Sequence, residues 1–175
     1  MRRKNFIVLA LIVIFLFALI IPLLLPYDFP IVFEDEQFEM VNINSSEQFT
    51  FNPLENIDFT SGNNVAYLLF ERVDLNELPK EMDRNKLLVC KDNEILQNLK
   101  RDFIFRKSDG DMSTCESEIL IYKEDKLVLR SSIIVTYSVV GLQNRKFGWS
   151  DAQNKEAVIS SLARFKPINK LFVKL

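Results

Sequence analysis

Arg145, Lys146, Phe147 and Trp149 place two cations and two aromatic rings in one short stretch. Arg and Trp are enriched where proteins bind one another, because each joins a large contact area to directional polar groups. Residues 143–149 are therefore the leading candidate recognition surface of the chain. A second use of the same residues competes with it. Ser150 and Gln153 have the spacing of a capping box, in which two side chains satisfy free backbone N–H groups of a helix's first turn. Trp149 then stands just before the cap and serves as a hydrophobic staple.

Other chemistry has less to work with. The chain has no histidine, so the commonest general base and the usual catalytic triads are missing. Two cysteines do not make a four-ligand structural zinc site, and there is no C-x-x-C for redox work. No S-x-x-K or G-x-S-x-G occurs. Ser131 and Ser132 stand near Lys126, but a hairpin turn accounts for all three. Four glycines, far apart, do not build a phosphate-cradling loop. Glu77 and Glu81 share a face if 75–82 is a helix, with Asp83 close by; a solvated helix face is the preferred account over a carboxylate pair, which needs a fixed separation across a cleft. Asp109, Gly110 and Asp111 offer oxygens but lack calcium-loop spacing, and a tight turn suits them. No metal and no cofactor is expected.

Cys90 and Cys115 form a candidate disulfide. Both follow the N-terminal apolar run, and Cys90 ends one expected strand while Cys115 begins another. In an oxidising compartment such a bridge adds roughly 3–4 kcal/mol by closing a loop of roughly 25 residues.

The elements that must hold these residues are partly legible. Residues 65–70 and 86–90 read as buried strands. Asp92 is placed to cap a helix from Asn93 to about Lys100, with Ile95, Leu96 and Leu99 on one side. Residues 103–105 read as extended. Residues 115–122 and 127–140 alternate as a β-hairpin around a charged turn at 123–126, with a bulge at Ser131 and Ser132. A last helix is expected from the Ser150 cap to Pro167, with Ala157, Val158, Leu162 and Phe165 inward. Residues 171–173 suggest a final edge strand. Ahead of these, 28–33 read as an extended lead-in, and Phe38, Met40 and Ile43, then Phe49 and Phe51, hint at short strands. The fold class expected is α+β: one small domain with a mainly antiparallel sheet and two or three helices, preceded by a transmembrane helix.

That transmembrane helix is residues 6–25, which carry no charge and no strong polar group. A helix needs roughly 20 apolar residues to cross roughly 30 Å of hydrocarbon. A cleavable signal peptide has a shorter apolar region and ends in a small-residue cleavage site, which is not seen here. Arg2, Arg3 and Lys4 precede the run, and no Lys or Arg follows until after Phe70. By the positive-inside rule the N-terminus is cytoplasmic and the domain extracytoplasmic, periplasmic or extracellular in a bacterium. The organisation expected is a basic flank (1–5), the anchor (6–25), a juxtamembrane segment (26–36) and a globular domain (37–175).

The bilayer is the first partner, through residues 6–25, with a membrane or envelope protein as the second. Nucleic acid is not expected: the compartment is wrong, and no base-stacking motif occurs. The basic tail after Gln143 is read as lying beside the acidic front half of the same domain, in preference to binding an anionic surface. The function expected is a non-enzymatic protein-binding or envelope-assembly module. An immunity or inhibitor protein acting at the membrane, and a histidine-independent hydrolase, are the alternatives.

Overall fold

The computed structural model describes residues 13–16, 31–33, 50–108, 117–168 and 172–174. The chain divides into two compact units. One holds Met1–Glu34 and Asn169–Leu175; the other is Asp35–Ile168.

In the first unit, strand β1 (Ile31–Phe33) lies parallel to the C-terminal strand β11 (Phe172–Lys174). Among the described residues no helix is long and apolar enough to cross a membrane. The expected anchor enters the described set only as a helical turn at 13–16.

The second unit is built on nine strands: β2 (Thr50–Phe51), β3 (Asn64–Leu69), β4 (Leu87–Cys90), β5 (Phe105–Lys107), β6 (Glu118–Lys123), β7 (Lys126–Val135), β8 (Val140–Asn144), β9 (Gly148–Ala152) and β10 (Lys166–Pro167). They form one sheet in the order β10-β4-β3-β6-β7-β8-β9-β5-β2, and every neighbouring pair is antiparallel. Two helices, α1 (Asn93–Asp102) and α2 (Lys155–Leu162), connect distant strands. Helix α1 carries the chain from β4, near one margin, to β5, near the other; α2 carries it back from β9 to β10. A mainly antiparallel sheet with helices is thus the architecture of this unit.

Alternation sorts the side chains. Ala66, Leu68, Leu88, Cys90, Ile119, Ile121, Leu129, Ile133, Val140 and Leu142 face the helices and join one core with Leu96, Leu99, Phe103, Val158, Leu162 and Phe165. Helix α1 is held by that burial. A helix of its length is marginal alone. Burying Ile95, Leu96 and Leu99 contributes roughly 1.5–3 kcal/mol each. Its start is fixed by Asp92, whose carboxylate accepts from Glu94 N (2.9 Å) and Ile95 N (3.2 Å).

Several expectations are corrected. Residues 75–82 do not form a helix: only a 3-10 turn exists at Asp74–Asn76, and Pro79, which has no N–H to donate, takes part in the next turn by accepting from Met82 N. Glu77 and Glu81 therefore share no helix face. The long return strand is two strands, because Thr136 Oγ1 accepts from Ser138 N (3.2 Å) and Val139 N (3.0 Å) and turns the chain between β7 and β8. The hairpin bulge lies opposite Ile121 and Tyr122, where Val128 is the extra residue, and not at Ser131 and Ser132. Ser150 caps no helix. It sits in β9, and Asn154 is the cap of α2, accepting from Ala157 N (3.0 Å).

The β6–β7 turn is tighter than four residues. Lys123 pairs with Lys126, leaving Glu124 (φ 50°) and Asp125 (φ 60°) as the loop. Two-residue hairpin loops of this type need positive φ at both positions. Glu124 N donates to Asn63 O (2.8 Å), and its carboxylate accepts from Asn63 N (3.2 Å). These bonds offset the cost of that backbone.

Candidate functional site

The cation–aromatic stretch is the tip of the β8–β9 hairpin. Asn144 pairs with Gly148, so Arg145, Lys146 and Phe147 form a three-residue loop that ends on Gly148 at φ 69°. Asn144 shapes it by accepting from Lys146 N (2.9 Å) and donating to Arg130 O (2.8 Å). Arg145 is exposed and Lys146 half-buried, but Phe147 and Trp149 are both buried. Phe147 packs on Phe51 of β2, ring centroids 4.8 Å apart. The four residues thus do not meet on one surface.

Trp149 is neither staple nor exposed anchor. It pairs with Gln143, and its ring lies diagonally over Gly141 on β8. A Cβ at Gly141 would fall among the ring atoms Cη2 and Cζ2 of Trp149. The indole Nε1 donates to Asp151 Oδ1 (3.1 Å). The glycine leaves a trough in the sheet and the tryptophan fills it.

The remaining candidates disperse. Glu77 and Glu81 are exposed. Ser131 is buried, and its hydroxyl is bound to Gln143 O (3.0 Å). Lys126 is exposed at the hairpin turn. Asp109 and Asp111 lie outside the described residues. Ser117, buried beside β6, donates to Asp74 and accepts from Glu71 N (3.0 Å), which ties the 71–74 turn to the sheet. Among the described residues no three His, Cys, Asp or Glu side chains are grouped to hold a metal ion.

Cys90 is a buried thiol on the core face of β4, with Sγ 3.7 Å from Asp92 O. Burial raises its pKa, so at neutral pH it is the unreactive thiol. Cys115 lies outside the described residues, yet the register around Ser117 bears on the pairing. Cys90 pairs with Ala66, and Ala66 with Ile121. Ser117 is therefore four positions along and two strands across from Cys90, about 16 Å away by strand geometry. Two residues of chain reach about 7 Å. The gap left, about 9 Å, exceeds the roughly 7 Å between Cα atoms that a disulfide spans. The register weighs against the bridge. Thiol titration of the denatured, unreduced protein is expected to count two free thiols, with Cys90 protected until unfolding. A count of none would restore the bridge.

The second face of the sheet, away from the helices, was not read from the sequence. Alternation puts Tyr67 and Leu69 of β3, Val89 of β4, Glu118 and Tyr122 of β6, and Arg130 of β7 on it, all half-buried. Tyr67 and Tyr122 meet edge-on at 5.9 Å. Arg130 grips Glu118 with two bonds, Nε to Oε1 (3.0 Å) and Nη2 to Oε2 (2.8 Å). Burial, then the Asp125 carboxylate, raises the Tyr67 pKa and keeps its hydroxyl protonated. The same face carries Val65, Leu87, Leu120 and Leu127, all buried, so it is largely screened from solvent and is a second packed layer rather than an open recognition surface.

Compared with protein-family models, with curated proteins and with solved structures, the chain matches none.

Proposed function

We propose that this chain is a membrane-anchored, non-enzymatic binding module, with residues 6–25 in the bilayer and its globular unit on the extracytoplasmic side. The observation that carries the reading is the turn at 13–16. Val13, Ile14, Phe15 and Leu16 are 42%, 64%, 65% and 48% exposed. Successive helical residues point about 100° apart, so four in a row sample every direction around the axis. A helix that is apolar and uncovered on all sides is suited to hydrocarbon and not to water. The cationic flank before it supports the orientation. The partner assigned to the module is a protein of the envelope, for which tethering raises the domain's effective concentration.

The test has two arms. Full-length protein should stay with membranes through an alkaline carbonate wash, and protease added from outside should digest the domain while sparing the N-terminal flank. Release by carbonate, or protection of the domain, defeats the anchored reading. In the second arm, crosslinking in intact cells should capture one envelope protein with the full-length chain and not with a chain lacking residues 50–168; repeated failure to capture one defeats the binding-module reading.

A further inference from the structure

Residues 71–85 leave the sheet after β3 and return to it at β4. Among the described residues these join no strand ladder, and the regular element in them is the 3-10 turn at Asp74–Asn76. Their ends meet, since Phe70 N donates to Lys86 O (2.7 Å). Compact surface loops of roughly 6–16 residues, closed at the ends and packed by their own side chains, are Ω-loops. This one sends Leu75, Leu78 and Met82 into the core.

Turns within the loop shape its backbone: Asp74 N donates to Glu71 O (3.1 Å), Glu77 N to Asp74 O (3.0 Å) and Met82 N to Pro79 O (3.0 Å). Two hydroxyls tie that backbone to the body of the unit. Near the start, Ser117 accepts from Glu71 N (3.0 Å). Further along, Tyr137 of the β7–β8 turn accepts from Lys80 N (2.5 Å). The two ties differ in access, because Ser117 is buried whereas Tyr137 is 51% exposed. The stem does not depend on the loop: Leu69 pairs directly with Leu87 in the ladder.

We infer that residues 71–85 are a lid over the core where β3 ends and β4 begins, opening as one unit about the stem with Tyr137 as its outer latch. A segment with no ladder bonds and its own small set of buried side chains opens at a lower free energy than the whole fold. Opening leaves all nine strands and both helices in place, so the sheet margins stay as they are. It bares Leu75, Leu78 and Met82, apolar area that the closed form hides. A protein partner that binds this area shifts the lid toward the open form. That last step rests on the binding-module reading; the lid itself does not.

Amide hydrogen exchange of the full-length protein in detergent tests the lid with no partner present. Losing one hydrogen bond shifts a local equilibrium about fivefold. Tyr137→Phe should therefore raise exchange about fivefold at Lys80 and, by the same factor, at Glu77 and Met82, whose own bonds the change leaves alone. The amides of β3, β4 and β6 should be unaffected. A rise at Lys80 alone, a rise that spreads through those strands, or no rise at all overturns the lid. Thiol labelling gives a second readout. In Leu78→Cys, the thiol at position 78 should label about tenfold or more faster than Cys90, which is buried on the core face of β4. Adding Tyr137→Phe should speed labelling at position 78 and leave Cys90 as it was. Equal rates at the two positions overturn the lid. Neither readout involves a partner, so the lid and the binding-module reading fail separately.

Discussion

Replacing Phe103 by alanine is expected to lower the unfolding free energy by about 4 kcal/mol, within the usual range for a buried aromatic. Phe103 is fully buried and ends α1, where the chain leaves the helix (ψ 55°) to enter β5. Its ring meets Phe105 nearly edge-on, centroids 4.7 Å apart at 78°. Truncation leaves a cavity between the helix and the sheet and removes an aromatic pair worth roughly 0.5–1.5 kcal/mol beyond its area. A domain of this size should lose roughly 10–20 °C of melting temperature. Phe103→Leu, which refills most of the volume, should recover more than half of the loss. A melting temperature within a few degrees of the parent for Phe103→Ala would mean that the α1–β5 corner is not packed as described.

Gly141→Val is expected to destabilise by about 3 kcal/mol and to change the tryptophan signal. Valine favours strands, and replacing glycine narrows the unfolded ensemble, a gain of roughly 0.4–1 kcal/mol. Against this stands a clash with a rigid ring: the first added carbon falls among the indole atoms of Trp149, and overpacking typically costs 1–3 kcal/mol, occasionally more. The clash wins. Trp149 is the only tryptophan, so its fluorescence reads the displacement directly as a red shift. In a Trp149→Ala background the same valine should cost far less, giving a coupling of roughly 2 kcal/mol in a double-mutant cycle. Additive effects with unshifted emission would show that ring and glycine do not touch.

What the sequence made legible follows the range of the interactions. Helix α1 was readable because its cap, Asp92, and its apolar residues, Ile95, Leu96 and Leu99, are local signals. The β6–β7 hairpin was readable for the same reason. Residues 148–152 were misread because Ser150 and Gln153 imitate a capping box, while the structure pairs Phe105 with Ala152, Arg106 with Asp151 and Lys107 with Ser150. A strand more than forty residues away outbid a local helix signal. The β7–β8 turn lacks glycine and proline, and its only cue is the Thr136 hydroxyl. Trp149 was drawn as a recognition residue because its trough is invisible until the register sets Gly141 diagonal to it. The Tyr67 and Tyr122 face needed the β3–β6 register in the same way.

The two crossing helices also decide how the unit fails. Each margin of the sheet is closed by a strand of two residues, β2 and β10, and β10 contains Pro167, which cannot donate to a further ladder. Such blunted margins discourage templated aggregation. But β10 is tethered to the rest through α2, and β5, which carries β2, through α1. Detaching either helix therefore strips a strand from one margin while it bares the apolar face. Partial unfolding would expose both hazards together, so the protein is expected to unfold all at once or to precipitate, with little room for a soluble half-open state.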